Sequence, residues 1–246
     1  MVFPIYDDNP FKLPVKPVVT WALIAANFLV FFIELGASDA ATNAMIENLG
    51  VTPAVLVGGA PSTGGVPAIT LLTYMFLHAG WAHIFGNMIF LEVFGDDIEE
   101  ALGRLRFLLF YLACGVVGGL VFVASAPGFQ GPLIGASGAI SGVVIAYVMF
   151  RPCAKVTVLF GIIPLRIRSF WVIGAFVVTQ LLNLKSAGDT DVAYWCHLGG
   201  MIAGAVLFPL MRRPGVQMFE CIAHPHYPGD PASAPPLERG PGAGTL

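Results

Sequence analysis

Charged residues are scarce in this chain. They make up 11% of its 246 residues, where a soluble globular domain carries roughly 25%. So few charges cannot cover a soluble surface, and with 57% hydrophobic residues and a mean hydropathy of +0.80, lipid is the solvent expected for the rest. No Lys/Arg cluster is present and the net charge is only -3, which argues against a nucleic-acid partner. The four cysteines, Cys114, Cys153, Cys196 and Cys221, lie far apart with no CxxC pair. They suggest neither a disulfide framework nor a zinc site. The opening MVFPIYDDNPFKLPVKPVVT carries acids and prolines ahead of the first apolar run. It is a poor signal peptide, and the first apolar segment is expected to stay as a helix. There is no convincing internal repeat.

What the chain has is long apolar runs. A spanning helix needs about 20 mostly apolar residues, and six segments qualify, at roughly 18–36, 70–94, 105–125, 135–151, 168–184 and 192–211. The expected fold is an all-α, polytopic membrane bundle of six transmembrane helices. The fourth and fifth segments are short, so one of them could begin at mid-depth, with its N-terminus inside the protein. Residues 1–17 are expected to be an N-terminal cytoplasmic segment, 18–213 the helical domain, and 214–246, rich in Pro, Gly and Ala, a disordered tail. Between the spans, 37–69 holds a weak helical stretch, GDDIEEALGR at 95–104 reads as a polar turn, and 152–167 reads as a hairpin or an interfacial segment. With the N-terminus inside, Lys12, Lys16, Arg104, Arg106, Arg151, Lys155, Arg166, Arg168, Arg212, Arg213 and Arg239 fall on the inner side and only Lys185 on the outer, eleven against one of the 12 basic residues. Both termini are therefore expected in the cytoplasm. Trp21, Trp171 and Trp195 fall near helix ends, as an interfacial belt requires.

Polar groups inside a membrane are costly and are functional candidates by default. His78, His83 and His197 fall in expected spans. Asn87 lies one turn beyond His83, on the same helix face; on a continuous helix His78 and His83 would diverge by about 140°. Each taken alone is equally well read as a hydrogen-bonding link between helices. The fourth span opens Gly135-Ala136-Ser137-Gly138-Ala139-Ile140-Ser141-Gly142. By itself this reads first as a packing motif. It also suits a nucleophile, because a helix N-terminus offers free N–H groups and a positive dipole end to an oxyanion. The sixth span holds His197-Leu198-Gly199-Gly200-Met201-Ile202-Ala203-Gly204. Gly200 and Gly204 permit close backbone approach, which would bring His197 to Ser137 as the base that a serine hydroxyl needs. The second, fourth and sixth spans run in one direction, so three non-adjacent helices carry their polar residues at a similar depth. Independent packing residues have no reason to coincide in this way.

These pieces resemble the rhomboid family of intramembrane serine proteases. His78-Ala-Gly-Trp-Ala-His83-Ile-Phe-Gly-Asn87 is similar to its HxxxxHxxxN, Gly135-Ala136-Ser137-Gly138 to its GxSG, and His197-Leu-Gly-Gly200-Met-Ile-Ala-Gly204 to its HxxGxxxG. The GDDIEEALG segment and the layout over about 18–213 fit as well. The resemblance implies Ser137 as nucleophile and His197 as base, a dyad without an acidic third member, and it implies no metal and no cofactor. It implies an oxyanion hole formed by the Ser137 N–H, His83 and Asn87, with His78, Gly135, Gly138, Gly200 and Gly204 supporting the site. It further implies single-span membrane proteins as substrates, a water-filled cavity open to the outer face, a first loop partly in the membrane, and a fifth span that helps admit substrate. A bacterial inner membrane is the expected location. Two departures stand out. Many family members have an aromatic residue four positions after the nucleophile, where this chain has Ser141, and Ile69-Thr70 stand near the place of a Trp-Arg pair. Two other readings are a catalytically silent rhomboid-like binder of membrane clients, and a small transporter with histidine proton relays. The intact dyad speaks against the first. The lack of repeat symmetry, with only Glu34 and Glu92 as expected buried acids, speaks against the second.

Overall fold

The computed structural model describes residues 3–7, 16–62, 66–184, 193–219 and 221. The elements run β1 (Phe3–Asp7), α1 (Val18–Gly36), α2 (Asp39–Leu49), α3 (Pro53–Leu56), two 3-10 turns (Pro67–Ile69, Tyr74–Phe76) flanking α4 (Thr70–Thr73), α5 (Trp81–Leu102), α6 (Arg104–Ser125), α7 (Ser137–Phe150), β2 (Lys155–Phe160), β3 (Ile163–Arg168), α8 (Ser169–Asn183) and α9 (Tyr194–Met211). Among the described residues, α1, α6 and α9 are each long and apolar enough to cross a membrane. The 67–76 segment and α5 meet the same criterion only when taken together, and they are bent by 84° at the break between them. The chain is a multi-pass membrane protein. α7 and α8 are apolar but shorter, at 14 and 15 residues. At 1.5 Å per residue α7 is about 21 Å long, well under the ~30 Å of the hydrocarbon layer. Its start is enclosed by protein, with Gly135, Ala136 and Gly138 all buried.

Small residues let the central helices touch. A Cβ on Gly200 of α9 would overlap the Gly138 carbonyl oxygen of α7, and one on Gly204 would overlap that of Gly142. The small residues at 138/142 and 200/204 are thus two facing small-xxx-small stripes, one per helix. Around them Tyr74, Phe94, Phe107, Phe110, Tyr111 and Tyr147 are fully buried. Trp21, Trp81 and Trp171 are exposed near helix starts.

Several expectations need correction. The second span is not one helix over 70–94. It breaks at Leu77–Gly80, and α5 starts only at Trp81. The freed backbone is bonded by other segments: Gly135 N donates to Tyr74 O (2.8 Å) and His78 N to Glu34 Oε2 (3.4 Å). Irregular backbone at membrane depth requires such partners. His78 therefore sits in the break, not on a helix, and its ring centroid lies 5.0 Å from that of His83. GDDIEEALGR is not a turn. α5 runs through it to Leu102, and only Gly103, at φ 87°, reverses the chain. The acids there are used within the fold. Glu99 accepts from Val19 N (3.0 Å), Thr20 N (2.7 Å) and Thr20 Oγ1 (2.9 Å), capping the start of α1, where free N–H groups and the dipole favour a carboxylate. Asp97 pairs with Arg151 at 3.4 Å. Of the two acids expected to be buried, Glu34 is and Glu92 is exposed, while Asp7, Asp97 and Glu99 are buried.

The fold also contains a sheet, so it is not purely helical. The 152–167 region forms the β2–β3 hairpin, and β1 pairs antiparallel with β2, giving the order β1-β2-β3. Tyr147 OH donates to Asp7 Oδ2 at 2.7 Å, tying β1 to the end of α7. Cys153 and Cys221 form a disulfide, contrary to the expectation from their 68-residue separation; Cys114 and Cys196 are free and buried. The chain after Arg213 continues against the bundle as far as it is described, with Val216 and Met218 packed on the core and Phe219 N donating to Met149 O (2.8 Å). Most of the expected disordered tail, 222–246, lies outside the described residues. So do most of residues 1–17 and Lys185.

Candidate active site

Three helix starts converge at one end of the bundle: α5 with His83 and Asn87, α7 with Ser137 as its first residue, and α9 with His197 in its first turn. His197 Nε2 and Ser137 Oγ are 2.8 Å apart. The histidine is 9% exposed and the serine half-buried. Ser137 heads its helix, so its N–H has no intrahelical acceptor and points out of the helix start. Gly135 precedes it at φ 114°, a backbone state that favours glycine.

That glycine also fixes the neighbours. A Cβ there would stand 2.6 Å from His83 Nε2 and 3.6 Å from Asn87 Nδ2, so both side chains face the turn that delivers Ser137. A Cβ on Gly138 would stand 2.6 Å from Cys196 Sγ, just before His197. The hydrogen-bond pattern orients the donors. His83 Nδ1 accepts from Ala79 N at 3.4 Å, which leaves its proton on Nε2, toward Gly135. Asn87 Nδ2 donates to His78 Nε2 at 2.9 Å, and His78 Nδ1 donates to Phe76 O at 3.4 Å. An amide nitrogen carries two N–H groups, so Asn87 keeps one for the site. His78 is 3% exposed and contacts Asn87 from the buried side.

All nine residues singled out in the sequence are thus gathered in this region or at the α7–α9 contact beneath it. Ser141, four positions after Ser137 and noted in the sequence as a departure from the aromatic residue of many rhomboids, makes no bond to His197. Its Oγ donates back to Ser137 O at 2.7 Å. The partner of His197 is one the sequence reading missed. Gln180 of α8 places Oε1 2.6 Å from His197 Nδ1 and is 7% exposed. The available signal was an amide inside the apolar run FWVIGAFVVTQLLN, which the cost of burying polar groups in a membrane marks out. The Tyr194 ring lies edge-on to His197 with centroids 6.3 Å apart. Among the described residues, no group of three or more His, Cys, Asp or Glu side chains could hold a metal ion.

The chain is similar to known proteins. The Rhomboid domain family matches residues 67–214, from the 3-10 turn at Pro67 to just past α9. The chain is 30% identical over 162 residues to RHOMBOID-like protein 12, mitochondrial, of Arabidopsis thaliana, covering 58% of this chain and 46% of that protein. It is 29% identical over 192 residues to Rhomboid protease GluP of Bacillus subtilis, covering 77% and 34%. It is 30% identical over 190 residues to the human presenilin-associated rhomboid-like protein, mitochondrial, covering 74% and 45%. The chain spans less than half the length of these relatives. The domain match covers more than half of this chain and takes in every residue of the converging helix starts, and the protein is a member of the rhomboid family.

Proposed function

We propose that this chain is an intramembrane serine endopeptidase that cuts membrane proteins through a Ser137–His197 dyad. The observation that carries this reading is the 2.8 Å approach of His197 Nε2 to Ser137 Oγ at a helix N-terminus. His197 takes the hydroxyl proton as Oγ attacks the scissile carbonyl carbon. The resulting oxyanion is held by the Ser137 N–H, the His83 Nε2–H and the free Asn87 N–H, donors fixed before the charge develops. The protonated His197 then gives its proton to the leaving amine as the C–N bond breaks, leaving an acyl group on Ser137. A water molecule, deprotonated by His197, attacks that ester, and Oγ departs with the proton. Water is a reactant, so the site is read as a cavity open to the outer side of the membrane. One relative is named a rhomboid protease, which supports the same chemistry.

The proposed substrates are single-span membrane proteins. A helix hides its peptide bonds in its own hydrogen-bond ladder, so segments weakened by Gly or Pro should be cut most readily. The glycines around Ser137 favour a small residue before the cut. The six apolar segments are read as six membrane-associated helices with the dyad end outward, both termini cytoplasmic, in a bacterial inner membrane. The bias of basic residues to one end supports this orientation. The test is incubation of the purified protein with a panel of single-span membrane proteins, with mass spectrometry of the product ends. Cleavage near the outer boundary that vanishes in Ser137→Ala and His197→Ala is the expected result. Equal cleavage by Ser137→Ala, or none by the unmodified protein across the panel together with no fluorophosphonate labelling of Ser137, overturns the reading.

A further inference from the structure

We propose that Gln180 is the third, positioning member of the site, holding His197 in the tautomer that can accept the Ser137 proton. The inference rests on the dyad reading above. His197 can accept from the serine hydroxyl only if Nε2 is bare, and a neutral imidazole then carries its proton on Nδ1. Gln180 Oε1, 2.6 Å from Nδ1, is the acceptor for that proton. When His197 takes the serine proton, the Nδ1–H bond becomes charge-assisted and strengthens, so the amide favours the imidazolium that forms in the transition state. An amide does this without a buried charge, and cysteine-dependent enzymes with a Cys-His-Asn constellation use one in the same position.

Among the described residues, no other group bonds His197 Nδ1. Ser141 is turned back on its own helix. Tyr194 offers His197 a ring edge and no bond to Nδ1. Among the described residues, the titratable groups facing His197 are His83 from α5 and Tyr194 from its own helix. Gln180 also lies on the only stripe that α8 buries, with Ser169 and Ile173. The exposed Trp171, Val178, Leu181 and Leu182 lie off this stripe. The face that docks α8 is therefore the face that carries the amide.

The experiment is the rate of fluorophosphonate labelling of Ser137 as a function of pH, in detergent, for the full chain and for Gln180→Met and Gln180→Glu. Methionine keeps the length and apolar stem and removes the acceptor; glutamate keeps an acceptor. Loss of one hydrogen bond to a charged group corresponds to a slowing of about 10- to 100-fold. Gln180→Met should be slowed by that factor. Its acid limb should move to lower pH, because an imidazolium without its acceptor is easier to deprotonate. Gln180→Glu should recover most of the rate with its acid limb moved to higher pH, because a carboxylate favours the imidazolium; if the methionine variant fails to fold, an unmoved limb in Gln180→Glu overturns the inference. A purely structural glutamine would lower the folded fraction and leave the pH limb in place. The inference is overturned if folded Gln180→Met labels at the unmodified rate across the pH range, or if both variants are equally slow with unmoved limbs. Absence of labelling in the unmodified protein would instead remove the dyad reading, and this inference with it.

Discussion

Replacing Gly200 by Ala tests whether the α7–α9 contact sets the dyad. The added Cβ would stand 2.8 Å from the Gly138 carbonyl carbon and overlap its oxygen, where ordinary contact begins at 3.4 Å. The carbon alone demands 0.6 Å of separation, and the nearer oxygen demands more. The obstacle is backbone on both sides, so no side chain can swing away, and the helices themselves must part. Gly138 is next to Ser137 and Gly200 is three residues after His197, so the separation reaches the 2.8 Å Nε2–Oγ bond with little loss. Stretched by about 1 Å, it is no longer a hydrogen bond, and a displacement of that size costs about 100-fold in rate. Overpacking should also lower stability by about 1–3 kcal/mol. The assay is the fluorophosphonate labelling rate beside thermal unfolding in the same detergent. Gly174→Ala is the control, because a Cβ there meets nothing within 4 Å. Folded Gly200→Ala labelling as fast as Gly174→Ala would refute the view that this close approach positions the dyad.

The proposed oxyanion donors give a second expectation. His83→Ala and Asn87→Ala should each lower turnover by about 10- to 1000-fold, the upper range being the cost of one lost donor in a well-studied hole; a double variant at full rate would assign both residues to packing. Glu99→Ala leaves the start of α1 without its cap and should destabilise the protein by about 3 kcal/mol, since charge-assisted bonds contribute about 1.5–3 kcal/mol each and do not add fully. Thermal unfolding reads this, and an unchanged midpoint would show that water replaces the carboxylate. Cys153→Ser should leave Ser137 labelling within about 2-fold, because the disulfide lies just past the far end of α7, about 21 Å from its first residue at 1.5 Å per residue. A larger loss would mean that the hairpin end of the molecule communicates with the dyad.

Much of this site is legible in the sequence. Apolar runs placed α1, α6 and α9 almost to the residue, because burying backbone in lipid leaves a helix little alternative. Ser137, His197, His83 and Asn87 stand out because polar groups are expensive at membrane depth, and glycines at 138, 200 and 204 stand out because only they let backbones meet. The break before Trp81 does not, since neither proline nor a polar run marks it; it exists because Glu34 and Gly135, from two other segments, take up the freed backbone groups. The acids of GDDIEEAL look like a solvated turn until α1 and Arg151 are present to pair with Glu99 and Asp97. β1 and the Cys153–Cys221 bond join residues far apart in the chain, and local pattern carries no trace of such pairings. Gln180 is the sharpest case. Sequence marks it only as an amide in an apolar helix, and nothing local relates it to a histidine 17 residues later. The docking of α8 against α9 decides that its oxygen, and not an aromatic ring at position 141, stands behind the imidazole.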